Sequence, residues 1–223
     1  MAEADTVELE WTRQYRLIPS KYPPIALFED CVDPAFLDEL YAIEALTNDR
    51  LMEEAGLLTL VRPEDRLVGN GSSSVMAAFT HPSEGRFTDG SFGAYYAADS
   101  LKTAFAETRY SRERFLRYTK EAPGEIDMRT YIGEICKPML DVRGPEFNHL
   151  HDPDDWSHGQ QFARNASKNG DWGIVYRSVR QPGGECIAAL RPPAISLPRQ
   201  GPHYSYVWDG KNITNIIHKR VLA

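Results

Sequence analysis

Residues 86–107 read Arg86-Phe-Thr-Asp-Gly-Ser-Phe-Gly-Ala-Tyr-Tyr-Ala-Ala-Asp-Ser-Leu-Lys-Thr-Ala-Phe-Ala-Glu107, and this segment decides the fold. Residues 85–90 contain the glycines and the aspartate that are typical of a turn. Residues 94–98 form a short apolar run of the kind found in buried strands. Asp99 or Ser100 can then accept a hydrogen bond at the start of a helix. The segment therefore predicts a turn, a strand and a helix in immediate succession.

The predicted helix has an apolar stripe at helical spacing, which we expect to face inward. Its members are Leu101, Ala104, Phe105, Thr108 and Phe115. Glu107 falls on the flank of this stripe. The carboxyl group is therefore expected at the border between the buried and the exposed side of the helix.

Further elements are predicted on the C-terminal side of this helix. Residues 128–135 alternate as a half-buried strand, and residues 160–167 are expected to form a helix that ends near Gly170. Residues 173–179 and 186–191 read as two more strands, joined through Pro182-Gly-Gly184.

On the N-terminal side, Asp33-Pro34 opens a predicted helix, with Asp as N-cap and Pro in the first turn. This helix is expected to end near Gly56. Residues 57–61 and 74–80 are short apolar runs that we interpret as strands. The helix is supported by apolar residues at helical spacing, namely Phe36, Leu37, Leu40, Ile43 and Leu46.

Sparse helices and many short strands predict an α+β fold with a mainly antiparallel, twisted sheet and flanking helices. We expect residues 1–60 to form a helical extension packed on the core. Residues 61–223 are expected to form the catalytic domain. A chain of 223 residues is long enough for one well-filled core with such an elaboration.

Composition limits the possible environments and partners. Apolar residues make up 42% and charged residues 26%, which is an ordinary globular balance. No apolar run approaches the roughly 20 residues that cross a bilayer, and the N-terminus is acidic, so a cytoplasmic protein without membrane contact is expected. The formal net charge of −7 disfavours direct binding of nucleic acid.

Metal and phosphate sites are weakly indicated. The three cysteines have no CxxC spacing, so neither a disulfide framework nor a thiolate zinc site is expected. His149-Leu-His151 with Asp152 and His158 has metal-ligand residue types, but the surrounding Pro, Asp and Gly residues favour a loop, and no metal is predicted. Residues 69–74, Gly-Asn-Gly-Ser-Ser-Ser, could hold a phosphate through backbone amides, although a plain turn is favoured.

Two motifs taken together resemble the RES domain family, which is named for an Arg, a Glu and a Ser. Tyr96 lies in the predicted strand of residues 94–98, and Glu107 follows it by eleven positions on the next helix. Tyr-Arg-Ser-Val-Arg at residues 176–180 is followed by Gly-Gly-Glu-Cys-Ile and places the serine at Ser178. The resemblance covers about residues 60–195.

The resemblance implies an ADP-ribosyltransferase-like fold and an attack on NAD+ as substrate. Breaking the nicotinamide–ribose bond leaves an oxocarbenium-like centre, which the Glu107 carboxylate would stabilise in the transition state. Tyr96 would offer its ring to the nicotinamide, and the Ser178 hydroxyl would fix the ribose or the carboxamide.

The resemblance also implies an arginine for the pyrophosphate, which a planar guanidinium binds better than an ammonium group does. The family's first motif residue is best matched by Arg66, with Arg62 as a competitor. Arg86 is the second candidate for the pyrophosphate. Site candidates are therefore Glu107, Ser178, Tyr96, Arg66 and Arg86.

Members of this family are toxins of toxin–antitoxin pairs, and the resemblance implies that role here. The acceptor of the ADP-ribosyl group is left open between water, phosphate and a protein target. The region before residue 60 resembles a longer subclass that modifies a protein. The implied partner is a helical antitoxin with an Xre-like DNA-binding region.

Two other function classes remain open. A non-catalytic module on the same fold could bind a nucleotide or a partner without turnover. A small-molecule hydrolase with His81 or His203 as base is the third possibility, although no nucleophile motif accompanies either histidine.

Overall fold

The computed structural model describes residues 3–19 and 56–220. The helix predicted from Asp33-Pro34 lies outside these residues, and it stays a prediction. None of the helices within the described ranges is long and apolar enough to span a bilayer.

The described residues form one nine-stranded sheet in the order β1-β5-β6-β7-β3-β2-β4-β8-β9. Neighbouring strands are antiparallel, except for the parallel pair β5 and β6. The mainly antiparallel α+β fold is thereby confirmed. The strands are β1 Thr6–Val7, β2 Arg13–Pro19, β3 Tyr95–Ala98, β4 Gly124–Glu134, β5 Met139–Asp141, β6 Gly173–Arg177, β7 Glu185–Ala189, β8 Arg199–Trp208 and β9 Ile213–Lys219.

Three α-helices flank the sheet in the described ranges, α1 Ser72–Thr80, α2 Leu101–Thr119 and α3 Ser157–Asn169. The predicted start of α2 is confirmed, because the Ser100 hydroxyl accepts a hydrogen bond from the Thr103 backbone N–H at 3.2 Å. Short 3₁₀ turns occupy Leu58–Leu60, Pro63–Asp65, Pro145–His151 and Pro192–Ala194.

Strand β3 is buried on both of its faces, which explains its uninterrupted apolar sequence. Tyr95 and Ala97 point into a core cluster that contains α1. Tyr96 and Ala98 point to the opposite face, where α2 and α3 pack. The same alternation runs through β6 and β7, so the sheet separates two packed layers.

Two predicted strands are wrong. Residues 74–80 belong to helix α1, and residues 57–61 contain the 3₁₀ turn Leu58–Leu60. A continuous apolar run has no period that separates a buried helix from a buried strand. The burial of the α1 side chains in the structure has the helical period, because Val75, Met76 and Phe79 face the core while Ala77 is exposed.

The inward position predicted for Phe115 is also wrong. Its side chain is 51% exposed, whereas the neighbouring Leu116 is 7% exposed. Leu116 joins the core cluster of Trp208 and Ile213. Phe115 instead lies beside the Arg112 guanidinium at the surface, with 5.5 Å between the guanidinium carbon and the ring centroid.

Strand β2 places an N-terminal segment inside the sheet. It pairs with β4 along its whole length, from Arg13 opposite Glu134 to Pro19 opposite Met128, and it contacts β3 at Tyr15. The described part of the expected helical extension therefore contributes two strands to the main sheet, β1 and β2. The boundary near residue 60 stays a prediction.

Candidate functional site

A cavity of about 410 Å³ opens on the sheet face that carries Tyr96. Its walls come from β2, α1, the turn before β3, β3 itself, α2, the start of α3 and the end of β6. A second cavity of about 320 Å³ adjoins it and shares Arg16, Tyr96, Glu107 and Tyr176 as lining residues. Glu107 thus borders both spaces.

The structure brings Glu107 and Ser178 together across 71 residues of sequence. The Ser178 hydroxyl donates a hydrogen bond of 2.6 Å to Oε1 of Glu107. Ser178 is buried, and Glu107 is half-buried. The bond fixes one carboxylate oxygen and therefore the direction in which the second oxygen points.

The Ser178 hydroxyl also organises the turn between β6 and β7. It accepts hydrogen bonds from the backbone N–H groups of Arg180 at 3.2 Å and Gln181 at 2.9 Å. A hydroxyl has one donor and two acceptor sites, so its capacity is used in full. In this arrangement Ser178 acts on Glu107 and on the turn, and it lines neither of the two cavities.

Close packing keeps this turn against the start of α2. A Cβ added to Gly184 would lie 2.5 Å from the Thr103 hydroxyl oxygen, nearer than side-chain atoms approach one another. The glycine therefore allows the turn to reach the helix that carries Glu107.

Tyr96 lines both cavities and is held by the turn that precedes its strand. Its hydroxyl accepts a hydrogen bond of 2.8 Å from the Phe87 backbone N–H. A Cβ on Gly85 would lie 2.8 Å from the same hydroxyl, so a larger residue there would displace the phenol. Burial raises the pKa of Tyr96 far above its ordinary value, and the phenol stays neutral.

Arg86 is buried in the cavity wall and is anchored by backbone carbonyls. One terminal nitrogen donates to the Leu150 carbonyl at 3.1 Å and to the Asp152 carbonyl at 2.6 Å. Gly159 of α3 packs on the backbone of Arg86, where an added Cβ would lie 2.5 Å from the carbonyl oxygen. Carbonyl anchors hold the guanidinium without neutralising it.

The other predicted arginines do not reach this space. Arg66 is buried, its Nε donates to the Val61 carbonyl at 3.4 Å, and neither Arg66 nor Arg62 lines the two cavities. Arg16 of β2 lines both of them. The assignment of the first motif arginine to Arg66 stays a prediction.

Arg16 is a site residue that sequence reasoning missed. A terminal nitrogen donates to the Tyr96 carbonyl at 3.0 Å, and the guanidinium carbon lies 4.4 Å from the centroid of the Tyr95 ring. Its Nε is buried and has no hydrogen-bond partner in the part of the chain described. Burial lowers the pKa of Arg16, but a guanidinium remains charged at neutral pH.

Other lining residues were not predicted as site residues, and those used below are Tyr110, Arg114, Trp156 and Arg180. Arg180 is the last residue of the motif at residues 176–180, so this motif could have identified it as a site residue. Arg114 follows Glu107 by seven residues, and that spacing places both on one side of a helix. No sequence pattern indicated that Trp156 would line the cavity.

The lining carries more positive than negative side chains. Among the residues described, its guanidinium groups are those of Arg16, Arg86, Arg114 and Arg180, and its carboxyl groups are those of Glu84 and Glu107. The cavity therefore favours an anionic ligand even though the chain as a whole is acidic.

The residues described contain no group of three or more side chains that could hold a metal ion. His149 and His158 pack ring against ring with centroids 5.7 Å apart. The segment at residues 69–74 turns into helix α1, where the Ser74 hydroxyl donates to the Gly71 carbonyl at 2.7 Å.

The chain is similar to one known protein family and to two known proteins. The family model of the RES domain matches residues 63–209. The uncharacterized protein y4oC of Sinorhizobium fredii is 34% identical over 201 residues, which cover 90% of this chain and 84% of that protein. A chain in the crystal structure of the M. tuberculosis MbcT–MbcA toxin–antitoxin complex aligns over 88% of this chain and 85% of its own length, with 16% identity and a TM-score of 0.46.

Proposed function

The chain belongs to the RES domain family, and from this premise we propose that it is a toxin that cleaves NAD+ at the nicotinamide–ribose bond. The proposal depends on the position of the Glu107 carboxylate. The Ser178 hydroxyl donates a hydrogen bond of 2.6 Å to this carboxylate, which lies beside a cavity lined by guanidinium groups. One acidic group and several cations match a substrate that develops positive charge at the ribose and carries negative charge on its phosphates.

Glu107 is the catalytic residue of the proposed reaction. As the bond from C1′ to the nicotinamide nitrogen breaks, its electron pair leaves with nicotinamide, and positive charge builds on the ribose. A carboxylate held in place stabilises that charge mainly in the transition state, which raises the rate rather than the affinity. Nicotinamide departs as a neutral molecule, so no strong general acid is needed.

The surrounding residues supply binding and orientation. The neutral Tyr96 phenol presents a ring in the cavity, suited to packing on nicotinamide. Arg16 and Arg86 are held by backbone carbonyls and keep their charge, which adds to the positive potential of the cavity that receives the anionic substrate. Cavities of about 410 and 320 Å³ lie in the size range of small-molecule sites.

The acceptor at C1′ can be water, phosphate or a nucleophilic side chain of a target protein. In each case the acceptor atom bonds to C1′, and an acceptor atom that carries a proton, such as that of water, releases it to solvent. We propose an antitoxin of the Xre-like type as the neutralising partner, as the family resemblance implies.

The test is direct. Purified protein mixed with NAD+ should release free nicotinamide, which chromatography measures. Glu107→Gln should lower kcat by about 100- to 1000-fold, since it removes the charge but keeps the shape and a hydrogen-bond acceptor for Ser178. Arg109→Gln is the matched control on α2, because Arg109 is exposed and pairs with Glu113.

Binding of NAD+ without nicotinamide release would support the second candidate, a non-catalytic nucleotide-binding module, and would overturn the enzyme. Labelled NAD+ in a cell lysate separates the acceptors, because transfer to protein gives labelled bands and hydrolysis gives free ADP-ribose. Expression in bacteria should deplete NAD+ and arrest growth, and the Glu107→Gln variant should not.

A further inference from the structure

Helix α2 extends the candidate site well beyond Glu107. Tyr110 and Arg114 follow Glu107 by three and seven residues, so all three lie on one side of the helix and line the same cavity. With a rise of 1.5 Å per residue, Arg114 lies about 10 Å along the helix axis from Glu107. This wall is long enough to contact a second part of an extended ligand.

Two arginines of the cavity lie against aromatic rings, Arg114 on α2 and Arg180 in the turn between β6 and β7. The guanidinium carbon of Arg114 is 4.6 Å from the centroid of the Trp156 ring, and that of Arg180 is 3.4 Å from the centroid of the Tyr110 ring. A ring against the face of a guanidinium fixes its plane and leaves its N–H edges available. We call these four residues the arginine clamp.

The charge of the clamp is not neutralised by ion pairs with the residues described. Neither Arg114 nor Arg180 forms one, and the Arg180 guanidinium donates instead to the Pro153 carbonyl at 3.0 Å. In addition, the Trp156 indole N–H is buried and has no hydrogen-bond partner within the described part of the chain. Buried indole N–H groups usually have a partner, so this donor is poised for a ligand oxygen.

We propose that the arginine clamp binds the diphosphate of the dinucleotide and thereby retains the substrate in the cavity beside Glu107. This inference rests on the proposed function. In NAD+ the diphosphate is joined to the 5′ carbon of the same ribose whose C1′ reacts, several bonds away from it. Planar guanidinium edges contact phosphate oxygens in pairs, which suits a diphosphate better than a single carboxylate.

The cavity arginines have different roles in this proposal. Arg86 uses a terminal nitrogen on two loop carbonyls and forms part of the wall. Arg114 is exposed and Arg180 is half-buried, so both can close on a ligand that enters from solvent. Because the clamp acts far from C1′, it contributes to affinity in the ground state and in the transition state alike.

The experiment measures binding of ADP-ribose, which needs no turnover, by calorimetry with Arg114→Gln and Arg180→Gln. Each variant should bind about 10- to 100-fold more weakly than the wild type, as expected for a lost charged hydrogen bond. The salt dependence of binding should become shallower. In steady-state assays KM for NAD+ should rise while kcat stays near the wild-type value.

Arg109→Gln is again the control, and it should bind ADP-ribose like the wild type. Arg114→Lys keeps the charge but lacks the fork, and an affinity between those of the wild type and Arg114→Gln is expected. If both glutamine variants bind ADP-ribose as tightly as the wild type does, the proposal for the clamp is wrong, whereas the proposed function is unaffected. A wild-type chain that binds neither NAD+ nor ADP-ribose would instead overturn the proposed function.

Discussion

The two faces of the sheet are organised by different interactions. On the face of Tyr95 and Ile187, buried apolar side chains interlock with α1. On the face of Tyr96, polar groups of the cavity are fixed by hydrogen bonds between residues far apart in sequence, such as Ser178 with Glu107. Apolar packing there is interrupted by the cavity.

The difference shows how one sheet serves stability and chemistry together. Interlocked side chains resist unfolding but present no directional groups. Hydrogen bonds add little net stability, yet they set the direction of a carboxylate or a guanidinium. Substitutions on the two faces should therefore affect different measurements.

The largest effect is expected on the face of the cavity. Ser178→Ala removes the bond that orients Glu107 and leaves two backbone N–H groups of the turn without their acceptor. A carboxylate displaced by about 1 Å can lose about 100-fold in rate. We expect kcat for nicotinamide release to fall by about that factor with KM little changed.

Ser178→Thr is the control for this prediction, because it retains the hydroxyl and should keep most of the activity. A rise in KM without a fall in kcat would instead assign the serine to substrate binding, against the positioning role. Circular dichroism melting of both variants would show whether the turn still folds.

The next effect is expected on the packed face. Gly93 lies against α1, where an added Cβ would come within 2.6 Å of the Ala78 carbonyl oxygen. Gly93→Ala must therefore push the helix from the strand, and overpacking of this kind costs about 1–3 kcal/mol. Urea denaturation should show the lower free energy of unfolding.

Gly124→Ala is the matched control at the start of β4, since the nearest atom to its added Cβ lies 3.9 Å away. Its stability should stay close to that of the wild type. Equal losses in the two variants would contradict the tight contact between α1 and the strand.

The smallest effect concerns His151 at the edge of the cavity face. Burial lowers its pKa, with smaller contributions from the nearby charges of Arg177, Arg86 and His149. The ring interacts with the Phe147 carbonyl at 3.0 Å and accepts from the Arg177 backbone N–H at 3.2 Å, which requires the neutral form.

Because the folded pKa of His151 is lowered, the unfolded chain takes up a proton first as the pH falls. The stabilising contribution is complete above the ordinary histidine pKa and is lost as the pH falls through the folded pKa. Urea denaturation from about pH 7.5 to about pH 5 should show a loss of stability that is smaller in His151→Gln. An identical pH dependence in both proteins would rule out this contribution.

Local elements were predicted where the sequence has one clear period or cap. The strand at residues 94–98, the Ser100 cap, and the hairpin of β6 and β7 are confirmed with shifts of one or two residues at their ends. Helix α1 was predicted as a strand, because an apolar run carries no period. Strand β2 gave no signal that identified it as a central strand.

The candidate site was predicted only in part, because local patterns identify some of its residues and long-range contacts place the others. Spacing and family resemblance pointed to Tyr96, Glu107, Ser178 and Arg86, and the structure places these residues around or beside one cavity. Arg16 joins them only through the pairing of β2 with its neighbours, 80 residues away from Tyr96. Its position depends on long-range contacts that no local pattern records.

The sequence by itself determined the turn, strand and capped helix at residues 86–107, because spacing, caps and glycines act over a few residues. Only the tertiary structure decided that the Ser178 hydroxyl donates to Glu107 and that Arg16 lines the cavity whereas Arg66 does not. Those outcomes follow from the order of strands in the sheet, which sets the neighbours of each side chain across long stretches of chain. Sheet pairing is a cooperative property of the whole fold, and single segments do not encode it.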